Sequence, residues 1–443
     1  MQSEPEFFFV RWVFKQMAEL IYVATTRAGI NALEAAKRLG HGVTLVTSPK
    51  DQVLLNDDDR ARIERTTNAV VQCADTQDAD AVQSALEAVL REHPVDGVVC
   101  TFEMFATSTA IAADRLGLRA TNLQGVLNAR DKARCREILD ENGIPSVRYR
   151  VVVTAQEAVA ALAEIGYPAI VKPKTAGAKA MTFIATNEAE VVARFEQHEA
   201  EHAALNDLLR SQVSPVFLIE EMARGPLCSI EVAVDAYGDW APLAIARRQL
   251  AKGNPIVEMG SSLPSGFSDA QYDEIAAYTI RIAKALDLRL GIFHTEFIYT
   301  ADGPRLVEVN PRIGGGPLPE VVLDATDVDL FEILARIHAG EHVGYTKLPF
   351  KRAAGHHFIG PLDDVVVRED LPADWLDQFR PRIVAADINV KAGQHIRGMR
   401  GNFDVRGLYS VVGDSYDDII AKMESLRVDM ERVLGFALTA SDG

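Results

Sequence analysis

The sequence predicts a multidomain protein of the α/β and α+β class, in which a doubly wound domain on a parallel sheet precedes two lobes on antiparallel sheets. Apolar strand-like segments alternate with helical segments up to about residue 121, which is typical of a parallel sheet. Short strands then follow in a mixed order that favours an antiparallel sheet. Near residue 300, both sides of a turn alternate with period two, which indicates a hairpin.

The first predicted domain spans residues 1–121. Its expected strands are 20–26, 43–47, 69–72 and 95–101, and its expected helices are 29–39 and 78–92. The first strand-to-helix turn, residues 25–29, lacks the GxGxxG pattern that brings a helix N-terminus close to a pyrophosphate. We therefore expect no dinucleotide cofactor in this domain.

The second predicted domain spans residues 122–235 and begins with a helical linker over residues 122–143. Its expected strands are 147–153, 169–174, 181–185, 216–220 and 229–235, and its expected helices are 155–165 and 188–209. The third domain, residues 236–443, contains a long helix over 269–286, the hairpin, short strands from residue 356 and a last helix over 415–426.

Composition excludes several classes of protein. The chain of 443 residues has a formal net charge of −17, which argues against binding nucleic acid or anionic membranes, because both need positive patches. The four cysteines form no CxxC pair, so we expect neither a disulfide framework nor a zinc ribbon, and a reducing cytoplasm is the default location. No segment has the length of a membrane span, and the aromatic cluster at residues 7–14 is expected to pack on the body or on a partner subunit.

The hairpin is the most informative feature. Its alternation places Glu296 nearly opposite Glu308, with Asn310 on the same face, and cross-strand Cβ atoms are roughly 5 Å apart. Two carboxylates at this separation repel each other unless a cation lies between them. Oxygen ligands from two glutamates and an asparagine suit Mg²⁺ or Mn²⁺. The alternative interpretation is a polar stripe that faces solvent, as in any half-exposed antiparallel strand.

Two lysines and one strand end are candidates for nucleotide binding. Lys172 ends an apolar strand and precedes a loop of small residues, an arrangement that presents a cation and backbone N–H groups to phosphates. The alternative interpretation is that neither lysine binds phosphate: Lys172 would be an ordinary lysine at a strand end, and Lys132 an ordinary residue of a helix. The strand that ends at residues 220–223 offers backbone groups that can bind an adenine edge; these residues are Glu220, Glu221, Met222 and Ala223.

One further motif predicts a different chemistry. Residues 198–202 match the H-E-x-x-H pattern of zinc peptidases, which places His198 and His202 on one face of a helix. That helix is polar nearly all round, and no clear third ligand follows it. We therefore favour a solvated helix over a zinc site.

Taken in this order, the residues resemble the ATP-grasp superfamily, and within it the L-amino acid ligases of the bacilysin-synthetase type and related peptide-antibiotic ligases. The resemblance covers roughly residues 20–430 and implies a pre-ATP-grasp domain before a two-lobed ATP-grasp fold. It implies that Lys132 and Lys172 hold ATP phosphates, that residues 220–223 hold adenine, and that Glu296, Glu308 and Asn310 bind two Mg²⁺ ions, with Mn²⁺ as a substitute. It also implies catalytic roles for Arg312, which steadies an acyl phosphate, and for His294.

Two departures from the family pattern concern the nucleotide. The glycine-rich phosphate loop retains Gly177 but has Ala178, Lys179 and Ala180 beside it. The position of the ribose-binding acid is taken by Leu227, so we expect another acid, with Glu231 as the candidate.

The resemblance implies an ADP-forming ligase that joins an amino acid carboxylate to an amino acid or peptide amine. Arg248, Glu258 and Gly260 are expected to line the substrate pocket, and the backbone N–H groups of Gly314, Gly315 and Gly316 to hold an oxyanion or a carboxylate. Small-molecule or peptide substrates are the expected partners, with a homodimer as a further expectation. The alternatives are another ATP-grasp C–N ligase of the purine or biotin-carboxylase kind, and a non-catalytic ATP-binding protein.

Overall fold

The computed structural model describes residues 17–53, 55–177, 179–401 and 404–442. The aromatic cluster at residues 7–14 and the loop residue Ala178 lie outside the described residues. Within the described residues there are three sheets of four or more strands, and the predicted combination of a parallel sheet followed by antiparallel sheets is confirmed.

The N-terminal domain is built on a parallel sheet of four strands in the order β3-β2-β1-β4. Its strands are β1 (Glu19–Val23), β2 (Gly42–Thr47), β3 (Ala69–Gln72) and β4 (Gly97–Val99). Its helices are α1 (Ile30–Arg38), α2 (Pro49–Gln52), α3 (Asp57–Thr66), α4 (Ala79–Glu92) and α5 (Glu103–Arg115). Helix α5 follows the carboxyl end of β4, so its first residue, Glu103, lies at the edge of the sheet where sites form in such folds.

The predicted helical linker is two helices, α6 (Leu123–Arg130) and α7 (Lys132–Glu141), separated at Asp131. The Asp131 carboxylate accepts hydrogen bonds from the N–H groups of Ala133 and Arg134, so it caps α7 and interrupts the continuous helix. Lys132 is thereby placed in the first turn of α7.

The small lobe contains an antiparallel sheet of four strands in the order β5-β8-β6-β7. Its elements are β5 (Tyr149–Val152), α8 (Ala155–Ile165), β6 (Ala169–Pro173), β7 (Phe183–Ala185), α9 (Glu188–Ala204), α10 (Asp207–Arg210) and β8 (Phe217–Glu221). Helix α8 begins with a capping box between Thr154 and Glu157, and its apolar face packs on the sheet.

The large lobe is built on an antiparallel sheet of eight strands in the order β13-β12-β9-β10-β11-β14-β18-β16. The first strands and helices are β9 (Leu227–Val234), β10 (Trp240–Ala251), β11 (Asn254–Leu263), α11 (Asp269–Ala285), β12 (Gly291–Thr300) and β13 (Gly303–Asn310). The remaining ones are α12 (Leu318–Thr326), α13 (Leu330–His338), β14 (Ala353–Ile359), β15 (Val365–Val366), β16 (Ala385–Ile388), β17 (His395–Ile396), β18 (Gly407–Gly413) and α14 (Tyr416–Leu434). A 3₁₀ segment spans Asp377–Arg382.

The position of β9 corrects the predicted boundary at residue 235. This strand was expected in the small lobe, but it pairs with β10 and β12 in the middle of the large sheet, and every one of its residues is buried. The small lobe therefore ends at the hinge after β8. Strands β14, β16 and β18 also continue the large sheet, so these strands of the region predicted as short strands from residue 356 belong to that sheet.

Candidate functional site

A cavity of about 410 Å³ lies where the small lobe, the linker helices and the β12–β13 hairpin meet. Small-lobe strands provide one wall and the hairpin provides the opposite wall. Among the predicted site residues, those that line this cavity are Lys132, Lys172, Glu220, Glu221, Met222, Ala223, Glu296 and Glu308. Residues far apart in the sequence are thus brought together around one space.

The hairpin has the register that its alternation predicted. Glu296 pairs with Glu308, and His294 pairs with Asn310. A bulge then shifts the register, since Phe297 pairs with Leu306 and leaves Val307 as the extra residue. The Val307 carbonyl accepts hydrogen bonds from Lys172 Nζ at 3.2 Å and from Arg136 Nη2 at 3.1 Å, so the bulge ties the hairpin to the small lobe and to α7.

The acids of the hairpin fit a divalent cation. Glu296 is buried, and its Oε2 has no hydrogen-bond partner among the described residues, which is unfavourable for a carboxylate unless a cation binds there. Asn310 Nδ2 donates to Glu308 Oε1 at 3.3 Å, and Lys132 Nζ lies 3.2 Å from Glu308 Oε2. Burial acts to raise the pKa of Glu308, but the lysine ammonium groups outweigh it and hold that pKa below its usual range.

Lys172 is held by a buried carboxylate at the cavity wall. Its Nζ lies 2.8 Å from Glu220 Oε2, and Arg136 Nε lies 2.9 Å from the other oxygen of Glu220. Burial opposes ionisation of Glu220, yet the two cations lower its pKa to about 2. Both oxygens of the Glu220 side chain are thus occupied by Arg136 and Lys172, so this side chain holds Lys172 in place, and the adenine contact expected at residues 220–223 is left to their backbone groups.

The hinge after β8 provides the backbone expected at an adenine edge. Glu221, Met222, Ala223 and Arg224 line the cavity in succession. The Glu221 side chain accepts from Arg148 Nε at 2.9 Å.

Glu231 is placed differently from the expectation. It pairs with His294 across β9 and β12, accepts from His294 Nδ1, and accepts the Gly314 N–H at 2.9 Å with its other oxygen. Both oxygens are therefore occupied, and Glu231 is absent from the cavity wall, which rules out the predicted ribose contact. Burial alone would lower the pKa of His294, but Glu231 and then Glu296 raise it to about 9, so the imidazolium form is favoured.

The glycine turn after β13 is also reassigned in part. Gly314 was expected to offer its N–H to an oxyanion, but that group is donated to Glu231. A Cβ at Gly314 would lie 2.7 Å from a Leu318 methyl carbon and 2.8 Å from Glu231 Oε1, so a larger residue there would have to displace these side chains. No contact among the described residues indicates that Gly315 or Gly316 binds a ligand. Gly177 lies in the loop after β6 and does not line the cavity.

Arg312 connects the hairpin with the N-terminal domain. Its Nη1 donates to Ile313 O at 2.8 Å, and its Nη2 lies 3.4 Å from Asn310 Oδ1 and 3.6 Å from Glu103 Oε2. Its Nε is buried with no partner among the described residues. Glu103 also pairs with Arg130 at 3.2 Å and lines the cavity. Sequence reasoning missed Glu103, because only the docking of the N-terminal domain brings it to the hairpin.

A second buried network flanks Glu296. Glu258 pairs with both Arg248 and Lys179, and Arg248 Nη2 lies 3.8 Å from Glu296 Oε1. Arg248 and Glu258 were expected in the substrate pocket; neither lines the cavity, whereas Lys179, which the sequence analysis did not select, does. Gly260 is likewise structural, since a Cβ there would lie 2.0 Å from the His356 carbonyl oxygen on the neighbouring strand β14.

The zinc-peptidase motif has no metal-site geometry. His198 Nδ1 is 2.6 Å from the Phe195 carbonyl, and His202 Nε2 is 3.2 Å from the Arg210 carbonyl, so each ring contacts backbone near its own helix. Among the described residues, one group of three His, Cys, Asp or Glu side chains has its ligand atoms close enough together to hold a metal ion. This group is Asp235, Asp239 and His342, none of which belongs to the motif.

Within the described ranges, no helix is both long and apolar enough to cross a membrane.

Comparison with known proteins identifies two related domains and several relatives. Residues 165–320 match the family described as ATP-grasp domain, and residues 33–118 match the family described as ATP-grasp N-terminal domain. The chain is 26% identical over 353 residues to the uncharacterized protein y4rH of Sinorhizobium fredii. The aligned region covers 79% of this chain and 69% of that relative.

It is 33% identical over 261 residues to the alanine–anticapsin ligase of Bacillus subtilis, with 54% of this chain and 53% of the ligase aligned. The match therefore spans about half the length of that relative.

Solved structures share the fold over nearly the whole chain. The L-amino acid ligase from Bacillus licheniformis superposes with a TM-score of 0.73 at 20% identity, covering 94% of this chain and 97% of that one. The phosphoribosylglycinamide synthetase from Anaerococcus prevotii superposes with a TM-score of 0.64 at 18% identity, covering 93% and 98%. The two family matches show an ATP-grasp N-terminal domain over residues 33–118 and an ATP-grasp domain over residues 165–320, and the chain is similar over part of its length to an alanine–anticapsin ligase.

Proposed function

We propose that this protein is an ADP-forming carboxylate–amine ligase that makes a peptide bond between an amino acid carboxylate and the amine of an amino acid or peptide. The observation that carries the proposal is the arrangement at the hairpin: Glu296 faces Glu308 at the cavity wall, and Arg312 lies beside them in contact with Glu103. Activation of a carboxylate by ATP brings two anions into contact, the carboxylate and the nucleotide phosphates. It therefore needs acids that can bind a metal cation and a positively charged side chain at the same place.

The residues present fit two Mg²⁺ ions bound by Glu296, Glu308 and Asn310 together with nucleotide phosphates. Held by these residues, the metal would neutralise phosphate charge and help to orient the nucleotide. Lys132, Lys172 and Lys179 add positive charge at the same cavity. The hinge backbone at residues 221–224 binds the adenine edge.

In the first step, a carboxylate oxygen of the donor substrate attacks the γ-phosphorus of ATP. A P–O bond forms, the bond to the β–γ bridging oxygen breaks, and ADP leaves with that electron pair. Arg312 is held beside Asn310, where its guanidinium stabilises negative charge on the acyl phosphate.

In the second step, the amine nitrogen attacks the acyl carbon, phosphate leaves with the C–O electron pair, and the nitrogen loses a proton. His294 is buried, with one ring nitrogen against Glu231 and the other 3.3 Å from Glu296, so its imidazolium holds the Glu296 carboxylate in position rather than accepting the amine proton. The acceptor of that proton is bulk solvent or the leaving phosphate.

A release assay for ADP and phosphate over pairs of amino acids and short peptides tests the proposal, with mass spectrometry of the products. The expected result is ADP release that requires both a carboxylate donor and an amine, with a new amide in the product. ADP release that requires bicarbonate or a phosphoribosyl amine would instead identify another ATP-grasp reaction. Nucleotide binding without ADP release under any pair would indicate a non-catalytic ATP-binding protein.

A further inference from the structure

Arg130 connects three parts of the chain through one guanidinium. It is the last residue of linker helix α6, and its side chain is 9% exposed. Its Nη1 donates to the backbone carbonyl of Glu103 at 2.6 Å and lies 3.2 Å from Glu103 Oε1. Its Nη2 donates to Gln212 Oε1 at 2.7 Å. Because Glu103 begins α5 and Gln212 lies between α10 and β8, Arg130 joins the N-terminal domain to the small lobe.

The contact with Gln212 belongs to a wider interface between the small lobe and the N-terminal domain. Gln77 Nε2 donates to a backbone carbonyl of α10 at 3.3 Å, and Ser211 Oγ donates to Gln77 Oε1 at 3.2 Å. Gln77, Arg130, Ser211 and Gln212 all line a second cavity, of about 600 Å³, which is separate from the cavity at the hairpin. Through Glu103, which lines the hairpin cavity, Arg130 connects this interface with the candidate site.

Glu103 lies between two guanidinium groups. Its Oε1 faces Arg130, and its Oε2 lies 3.6 Å from Arg312 Nη2, which is longer than a hydrogen bond. A carboxylate that is shared by two cations cancels only part of the charge of each. Arg312 therefore keeps positive charge for a ligand while Glu103 is also held by Arg130.

Loss of Arg130 would change this balance. The Glu103 carboxylate would be free to rotate toward Arg312 and to form two short hydrogen bonds with its guanidinium, which is the favoured geometry of such pairs. Full pairing would neutralise Arg312 and draw it away from Asn310, its partner at 3.4 Å. The same loss would remove the contact between Gln212 and the linker.

We propose that Arg130 is a positioning residue, which keeps Glu103 from pairing fully with Arg312 and couples this arrangement to the small lobe through Gln212. Among the described residues that line the hairpin cavity, Arg130 is absent, so it acts through Glu103 rather than on a ligand. The inference rests on the proposed role of Arg312 beside the acyl phosphate. Its consequence is that carboxylate activation is fastest when the small lobe is seated on the N-terminal domain.

The first test measures kcat for ADP release and the dissociation constant of Mg·ATP. R130M is expected to lower kcat about tenfold, as for the loss of a hydrogen bond to a charged group, with the ATP dissociation constant changed less than about twofold. Added to E103Q, R130M should have no further effect on kcat, because the residue through which it acts has lost its charge. The control is Q124A, since Gln124 lies on the same helix and donates to Asn128. Q124A should keep the wild-type values.

The second test concerns the small lobe and uses the half-buried loop residue Gln212. Q212A removes the acceptor and is expected to lower kcat about threefold, whereas Q212E keeps an acceptor for Arg130 and should restore the wild-type rate. Added to R130M, Q212A should have no further effect. Amide hydrogen exchange of residues 205–216 should rise equally in R130M and Q212A, and this measurement needs no substrate.

The outcomes separate the inference from the proposed function. Wild-type kcat in R130M would overturn the inference, and so would a full tenfold loss on adding R130M to E103Q. Unchanged kcat and unchanged exchange in Q212A would overturn the coupling to the small lobe. ADP release that requires bicarbonate would refute the proposed peptide ligase, yet the same variants would still be compared on that reaction. Without ADP release from any substrate the proposed function would fail, and the exchange of residues 205–216 would separately decide the coupling.

Discussion

Glu296 and Glu308 lie directly opposite each other across the β12–β13 hairpin, and one oxygen of Glu296 is buried without a partner among the described residues. Lys132 Nζ lies 3.2 Å from Glu308 Oε2, and Arg248 Nη2 lies 3.8 Å from Glu296 Oε1. These neighbouring cations reduce the repulsion between the acids but leave a buried lone pair free. A divalent cation is the ligand that this arrangement accommodates best.

Glu308→Gln is expected to reduce ADP release at least a hundredfold, because it removes one charged metal ligand and several kcal/mol of transition-state stabilisation. The measurement is the initial rate of ADP release at saturating substrates, followed by a titration with Mg²⁺. The matched control is Glu274→Gln: Glu274 is an exposed residue of α11 that accepts from Tyr299 Oη of the hairpin strand β12 and does not line the cavity. Wild-type rates in Glu308→Gln would refute the metal assignment.

Arg136→Met is expected to destabilise the protein by about 1–3 kcal/mol, because it removes one of the two cations that hold the buried Glu220 and the donor to buried backbone carbonyls. Arg136 is 2% exposed, pairs with Glu220 and donates to the carbonyl of Leu306 at 2.8 Å. Its loss leaves these acceptors without their donor. The measurement is the free energy of unfolding in urea.

Arg134→Met is the control for that substitution, because Arg134 lies on the same helix but pairs only with exposed acids, Glu137 and Glu141. Its expected effect is within about 0.5 kcal/mol. Equal stability of both variants would mean that the buried network around Glu220 contributes little.

Arg312→Lys is expected to lower kcat about a hundredfold while the ATP dissociation constant changes less than about twofold. The guanidinium is fixed through Ile313 O and Asn310 Oδ1, and a lysine lacks the planar fork that makes both contacts. Steady-state kinetics and direct ATP binding measured on the same preparation separate the two quantities. A loss confined to ATP affinity would place Arg312 at the nucleotide rather than at the acyl group.

The hairpin register was predictable from sequence because period-two alternation about a short turn leaves few ways to pair the strands. The bulge at Val307 was not, since its carbonyl is held by Arg136 and Lys172, which are more than 130 residues away. Register and bulge together set the direction in which Glu308 points. The local sequence pattern therefore predicts which acids face each other, whereas tertiary contacts determine the direction in which they point.

Strand β9 shows why a correct strand can be assigned to the wrong sheet. Its alternation and apolar character predict a strand, but a fully buried strand has the same pattern in either lobe. Glu231 was misassigned for a related reason: its partner His294 is on β12, and sequence spacing does not show which strand lies next to β9. The ion pairs of Glu258 with Lys179 and Arg248 depend on the same long-range packing.

The free energy of unfolding is expected to fall as the pH is lowered from about 6.5 toward 4, because three histidines are buried in neutral form. Burial lowers the pKa of His338 to about 4, of His356 to about 3 and of His357 to about 4. An unfolded histidine titrates near 6.5, so the unfolded chain binds more protons in this window and acid favours unfolding. Each such histidine contributes about 1.4 kcal/mol of destabilisation per pH unit below 6.5.

His357→Gln isolates one of these contributions, since both ring nitrogens of His357 lack a partner among the described residues. The measurement is the difference in unfolding free energy between pH 7 and pH 5.5, which is independent of any uniform loss of stability in the variant. That difference should be smaller by about 1 kcal/mol in His357→Gln than in the wild type. His198→Gln, at a half-buried histidine on α9, is the control. An unchanged pH dependence in His357→Gln would show that His357 does not titrate across this window.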